Sequence, residues 1–535
     1  MLRVLNTVCK RRSVRTGGLV AVSVNLVVLL NFFVSYLHTT RTHRVYVLGT
    51  RKLPEAEANF TLPDPSATSF YQQWIQRDFQ PWRAAGISTE LVDAYALSGK
   101  WHECLGEVLR FQIINGSLWI DHLSERHAGW YPARLGPGAL SGKGKIPYAI
   151  LALLDALRHY PGQIPDVDAI IHTSDFSCIK ATPGGLQPLG PPVFGYNSDP
   201  AHEDIPFPDY SYWGHEYTRL RDEYFYYWHG WDLQYKWIRE LYQNTSLVDR
   251  QPEAIWRGRV ADDDYPERDA LRRAYQKCPA QLSRQGRADD AALINQRFDV
   301  DQISDNCRFR YVVYLESMAW STNGRHKFSC GSVIISNKMG YYEFFTRALQ
   351  PGVHYVEVDP DNLCDDLVNK VRYMNEVLDA SPSNKFGGQS MGRQGLGLEM
   401  TNQRSVSSVL TKASDYNLHP QQIADAGLKF IEDHVQMEDV RLYIKDVLKE
   451  YASLQTATQI KPSWNAVCYT GQLVLDQFAF PYRLDKQVVV QAYPWLQTFA
   501  QDSCPTMPDS KASDSMTTES VTVGGLAMPQ SSKLK

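Results

Sequence analysis

At 535 residues the chain is long enough for several domains of about 150 residues and for at least one large core, which excludes a peptide or a mini-scaffold. Its 55 basic and 59 acidic side chains leave a formal net charge of -4, so neither nucleic acid nor an anionic membrane surface is indicated as the main partner. With 43% hydrophobic and 21% charged residues, the composition is that of an ordinary globular protein.

The first element in the chain breaks that pattern. Residues 17–37, GGLVAVSVNLVVLLNFFVSYL, carry no charge, and at about 1.5 Å per residue they reach about 30 Å, the thickness of a bilayer's hydrocarbon core. Arg3, Lys10, Arg11, Arg12 and Arg15 precede the run without an acidic residue. The positive-inside rule therefore predicts a cytosolic tail over 1–16 and a lumenal body. A cleaved signal peptide fits less well, because the run exceeds the usual span of about 7 to 15 residues and ends in Tyr36-Leu37-His38, with no small-residue cleavage pair. The expectation is a single-pass type II protein of the Golgi or endoplasmic reticulum. Three glycosylation acceptors, at Asn59, Asn115 and Asn244, agree with a secretory compartment. So do eight cysteines beyond the span (104, 178, 278, 307, 330, 364, 468, 504), enough for four disulfides. No C-x-x-C pair occurs, so zinc and thioredoxin-like sites drop away.

After a polar, proline-bearing stem over 38–66, the apolar spacing predicts a helix over Tyr148–Arg158 and a buried strand at Ala169-Ile170-Ile171. A strand ending at Trp256-Arg257 follows, then a helix opening near Tyr265–Asp269. Apolar runs at Arg310–Glu316, Ser332–Ile335 and Val353–Val358 alternate with helical segments that include Met339–Leu349. Five glycines mark 381–404 as a flexible insert between a helix ending near Leu378 and one starting near Gln421. Asp439–Tyr451 has helical spacing, and the Ser/Thr-rich tail after about 504 has a disordered composition. Two α/β units are implied, over 67–248 and 249–456, with a C-terminal extension over 457–535.

Four stretches hold residues suited to chemistry. Asp175 follows the 169–171 run, and the carboxyl end of a strand in an open α/β sheet is where ligands bind. A carboxylate there can serve as a general base toward a hydroxyl, or can simply cap the next turn. Arg257-Gly258 and Arg268 offer forked donors and close backbone approach that suit a diphosphate, though surface ion pairs use arginine equally well. Asp262-Asp263-Asp264 is either a metal-binding cluster or a solvated acidic turn. Arg325, with Cys330-Gly331-Ser332 and the later Glu343, could clasp the phosphates and ribose of a nucleotide. An aromatic cluster from Phe207 to Trp237 supplies core and a few faces for sugar stacking.

Phe194-Gly195-Tyr196, Ile205 to Gly214, Trp256-Arg257-Gly258, Cys307 to Tyr314, Ala319-Trp320-Ser321, Cys330-Gly331-Ser332, Tyr341 to Phe345 and His354-Tyr355 occur in one order. Together they resemble glycosyltransferase family 90, the family of protein O-glucosyltransferases and capsule-associated proteins, in a version similar to its plant and algal branch. The resemblance implies a GT-B fold, in which two Rossmann-like domains face a cleft, the first on the acceptor side and the second binding the donor. It implies inverting transfer of glucose or xylose from a uridine-diphosphate sugar to a protein or glycan, with no essential metal and no further cofactor. By the family motif Asp175 is the base and Glu343 holds the ribose. Arg257, Gly258 and Arg268 form the phosphate-side loop, with Arg325 near the diphosphate, and Cys330, Gly331 and Ser332 open a helix aimed at it. A metal-dependent transferase using Asp262 to Asp264, and an inactive anchored sugar-binding protein, are the competing readings.

Overall fold

The structure is a computed structural model that describes residues 68–98, 108–123, 145–181, 190–214, 230–257, 270–297, 303–316, 319–380, 419–471, 473 and 504. All of them fall in one compact unit, Leu62–Lys535. The expected membrane span at 17–37, the stem, the insert at 381–404, Asp262 to Asp264, Gly258 and Arg268 lie outside the described residues. Among the described residues no helix is long and apolar enough to cross a membrane.

A mixed sheet forms first. β1 (Val108–Ile114) and β2 (Ser117–His122) make an antiparallel hairpin closed by Asn115 and Gly116, whose φ values of 50° and 76° are the left-handed pair that a two-residue hairpin turn requires. β1 is buried along its whole length. Its one charged residue, Arg110, makes bonds of 2.7 and 2.6 Å to the two oxygens of Asp168 on the next strand. The helix Ile146–His159 leads to β3 (Val167–His172), which runs antiparallel to β1 and parallel to β4 (Val193–Gly195), itself parallel to β5 (Ile205–Pro206).

A second sheet follows, and here every pairing is parallel. It contains β6 (Gln251–Arg257), β7 (Ile294–Arg297), β8 (Phe309–Tyr314), β9 (Val333–Ser336) and β10 (Val356–Glu357), in the order β10-β9-β8-β6-β7. β8 and β9 are buried throughout, as expected of strands covered on both faces by helices. The flanking helices Ala270–Arg284 and Leu363–Ala380 are joined by the disulfide Cys278–Cys364.

Two sequence expectations change. Met339–Leu349 is a loop with one short 3-10 turn at Thr346–Ala348 rather than a helix. Its apolar density comes from Phe344 and Phe345, both fully buried among aromatic rings, while the backbone of Tyr342 pairs with Ser198 instead of with its own turn. The helix Met437–Leu454, which lies within 249–456, packs on the first sheet. Tyr451 donates to the carbonyl of Asp168 (2.9 Å), and Tyr443 to that of Pro206 (2.7 Å). After it, β11 (Val467–Tyr469) adds to β2 and completes the first sheet as β11-β2-β1-β3-β4-β5.

Candidate functional site

The loops leaving the carboxyl ends of the parallel strands of both sheets meet. From the first sheet come Thr173 to Cys178 after β3 and Tyr196 to Ser198 after β4; from the second come Leu315, Glu316 and Ala319 to Ser321 after β8 and Asn337 to Glu343 after β9. Ser198 and Tyr342 form an isolated antiparallel bridge, and the amide of Trp320 donates to Asn197 Oδ1 at 3.1 Å. Asn197 also donates from Nδ2 to the carbonyl of Asp175 at 3.3 Å, so one side chain touches both the β3 loop and the β8 loop. In α/β sheets the outer side of such strand ends is where ligands sit.

Asp175 stands in this junction with its side chain 55% exposed, and its Oδ1 is ion-paired with Lys145 Nζ. The loop that carries it is held from beneath. His172 and Asp204 are fully buried, with His172 Nε2 2.6 Å from Asp204 Oδ1. The Ser174 amide donates to His172 Nδ1 (3.3 Å), which makes Nε2 the protonated nitrogen and the donor to Asp204. Asp204 also accepts from the amides of Cys178 (2.9 Å) and Ile179 (2.9 Å). His172, Cys178 and Asp204 bring ligand-type atoms within 4.8 Å of one another. The carboxylate is nevertheless engaged by these N–H donors, so the group works as a clamp on the Asp175 loop.

Across the junction, Glu316 accepts from the amides of Gly340 (2.8 Å) and Tyr341 (3.3 Å) and so fixes the loop that bears Tyr342 and Glu343. Burial pushes its carboxyl up to about 7, against the pull of those amides. Arg257 ends β6 at the same edge of the second sheet, buried, with Nη1 3.2 Å from Asp305 Oδ2.

Arg325, expected beside a diphosphate, is instead fully buried. Nη2 donates to Ser211 Oγ (2.6 Å), Nη1 lies 3.4 Å from Asp209 Oδ2, and the guanidinium stacks 3.9 Å from the centre of the Tyr212 ring and 4.9 Å from that of Trp231. A buried guanidinium is stable only with such partners. Glu343, expected to hold a ribose, is 1% exposed and belongs to the same interior cluster. Burial and then the Asp209 carboxylate drive its carboxyl well above the usual range, against the pull of Arg325. Tyr212 and Trp320 flank it, yet neither of its oxygens reaches hydrogen-bonding geometry with a described residue.

Cys330, Gly331 and Ser332 do not open a helix. They follow the short helix Gly324–Phe328 and lead into the amino end of β9, the opposite edge from the strand-end junction. The reason is local. Cys330 is bonded to Cys307, Gly331 has a left-handed φ of 62° that stops the helix, and Ser332 Oγ donates to the carbonyl of Phe309 at 2.8 Å. Lys145, Asn197 and Asp204 escaped the sequence reading, because each is a common polar residue whose role depends on a partner in another element.

The profile of glycosyl transferase family 90 matches residues 64–396 and 398–515. Among curated proteins, O-glucosyltransferase rumi of Drosophila melanogaster is 24% identical over 436 residues, covering 79% of this chain and 86% of the fly protein. Protein O-glucosyltransferase 1 of Homo sapiens is 23% identical over 303 residues, covering 54% of this chain and 63% of the human protein. A crystal structure of Anabaena HepE in complex with UDP covers 40% of this chain and 52% of its own at 10% identity, with a TM-score of 0.22. With the family's profile running over most of its length, this chain belongs to glycosyl transferase family 90 and is a glycosyltransferase.

Proposed function

We propose that the protein transfers glucose from uridine-diphosphate glucose to a hydroxyl of a protein acceptor, with inversion, in a GT-B cleft between two Rossmann-like halves. The observation that carries this reading is the place of Asp175 at the carboxyl end of β3, opposite the strand ends of the second sheet, with one oxygen engaged and the other open. The names of the fly and human relatives, both O-glucosyltransferases, support the donor sugar and the protein acceptor.

In the proposed reaction Asp175 takes the proton of the acceptor hydroxyl as that oxygen attacks the anomeric carbon. The bond to the diphosphate breaks, and its electron pair leaves with the uridine diphosphate. Arg257, with Gly258 and Arg268 beyond it, stabilises the charge developing on the diphosphate, so no divalent cation is required. The reading places the body in the lumen of the secretory pathway, anchored by residues 17–37. Three disulfides among the described residues support that compartment, as do the exposed acceptor sites at Asn115 and Asn244.

The test uses the full chain purified in detergent, with uridine-diphosphate glucose or xylose, serine- and threonine-containing peptides, and added chelator in a parallel series. Glucosylated peptide with the anomeric configuration inverted, undiminished by chelator, is expected. Asp175→Asn should lower turnover at least about 100-fold with donor affinity unchanged. Near-normal turnover in that variant would remove Asp175 from the mechanism, and transfer of xylose alone would replace the donor assignment. Loss of activity with chelator and its recovery with manganese would establish a metal-dependent route.

A further inference from the structure

We propose that Lys145 is a positioning residue for the transfer, gripping one oxygen of Asp175 so that the other is left to receive the acceptor's proton. The inference rests on Asp175 being the base. Lys145 immediately precedes the helix Ile146–His159, and its carbonyl accepts from the amides of Tyr148 (3.2 Å) and Ala149 (3.3 Å) and from the hydroxyl of Tyr196 (3.3 Å). Its ammonium lies 4.8 Å from the centre of the Tyr210 ring, a cation-π distance, and bonds Asp175 Oδ1. The lysine is therefore fixed along its length, with its side chain only 18% exposed, beneath a carboxylate that is 55% exposed.

Asp175 is anchored in turn by its carbonyl, which accepts from Asn197, while its Oδ2 has no partner among the described residues. Tyr196 and Asn197 are consecutive residues after β4, so one short segment holds both members of the pair. The residue type matters. An ammonium is a point charge that satisfies one oxygen, whereas a guanidinium presents a fork that engages both oxygens of a carboxylate. A lysine here leaves one oxygen of the base free for the acceptor's proton.

The other charged and titratable groups around the pair are already engaged. Tyr210 is a buried phenol held protonated by burial and by the Asp175 charge, with Asp209 and Arg325 behind it. His172 and Asp204 form their own pair under the loop.

The experiment compares Lys145→Met, Lys145→Gln and Lys145→Arg with the native enzyme. It measures kcat and KM for uridine-diphosphate glucose across pH, with the melting temperature recorded for each variant. Lys145→Met and Lys145→Gln should lose about tenfold or more in kcat while KM stays within about twofold. Lys145→Arg should fail to restore kcat although it keeps the charge, since a forked donor takes both oxygens. Native kcat in both neutral variants, together with an inactive Asp175→Asn, would overturn the role of Lys145 and leave the base intact. Full activity in Asp175→Asn would remove both. A rise in KM with kcat unchanged would make Lys145 a donor-binding residue instead, and would likewise overturn the proposal.

Discussion

The backbones of Ser198 and Tyr342 exchange two hydrogen bonds, 2.9 Å from the Ser198 amide to the Tyr342 carbonyl and 2.7 Å in return. Ser198 follows β4 of the first sheet and Tyr342 follows β9 of the second, so this reciprocal pair sets the spacing between the strand ends on which the candidate site is built. Backbone bonds serve the purpose because they are indifferent to side-chain rotamers and hold both loops in register.

Asn197 extends that junction and supplies the first prediction. Asn197→Ala removes the acceptor of the buried Trp320 amide and the donor to the Asp175 carbonyl at once. Leaving a buried amide unpaired should cost about 1–3 kcal/mol, read as a lower midpoint in urea unfolding. Turnover should fall as well, because the β3 and β8 loops lose their common contact. An unchanged midpoint would show that the two bonds do not form in solution.

Glu343 should make stability depend on pH in a definite direction. Its carboxyl is raised well above the ordinary value in the folded protein, so the folded state holds a proton that the unfolded state releases. Stability is then fully present below the unfolded pKa and falls as pH rises toward the folded one. Glu343→Gln keeps the shape and removes the acid, so its melting temperature should exceed the native value by a margin that widens from pH 5 to pH 8. A margin that is constant with pH would contradict a buried, protonated Glu343. Activity lost in this variant despite the gain in stability would favour a direct role in holding the donor.

Gly195 shows how tightly the clamp under Asp175 is packed. A Cβ added there would sit 2.3 Å from His172 Nε2 and 3.3 Å from Asp204 Oδ1, and the buried imidazole cannot move away without breaking its bond to Asp204. Gly195→Ala should cost about 1–3 kcal/mol, as overpacking in a dense core does, and should lower kcat by displacing the loop. Thermal unfolding and single-turnover assays check the two effects separately, and a variant with native values in both would show the clamp to be loose.

The disulfide Cys278–Cys364 closes a loop with a sequence separation of 86. On chain-entropy grounds, replacing both cysteines by serine should remove about 4.6 kcal/mol, seen as a lower guanidinium midpoint than that of the native protein measured without reductant. Native protein measured with reductant should move toward the variant. Equal midpoints for variant and oxidised protein would show that the bond is absent.

Several features of this protein follow from its residues alone. The apolar run at 169–171 makes a buried strand whatever surrounds it, and the structure extends it to Val167–His172. The spacing over 439–451 makes a helix, realised as Met437–Leu454. Asn115-Gly116 carried two signals, a glycosylation acceptor and the dipeptide of a tight hairpin, and the left-handed φ values show that the second was legible too. These are short-range effects, set by side-chain periodicity and by the few residues that tolerate positive φ. Tertiary structure alone decided which charges meet. Lys145 finds Asp175 across 30 residues, and Arg325 finds Asp209 across 116, because helices and loops pack over strands in an order that no local pattern specifies. That packing took Arg325 out of solvent, set Cys330 to Ser332 at the amino end of β9 and returned Met437–Leu454 to the first sheet. A charge in a folded interior goes where a partner and a stacked ring can replace its water, and that place is a property of the whole core.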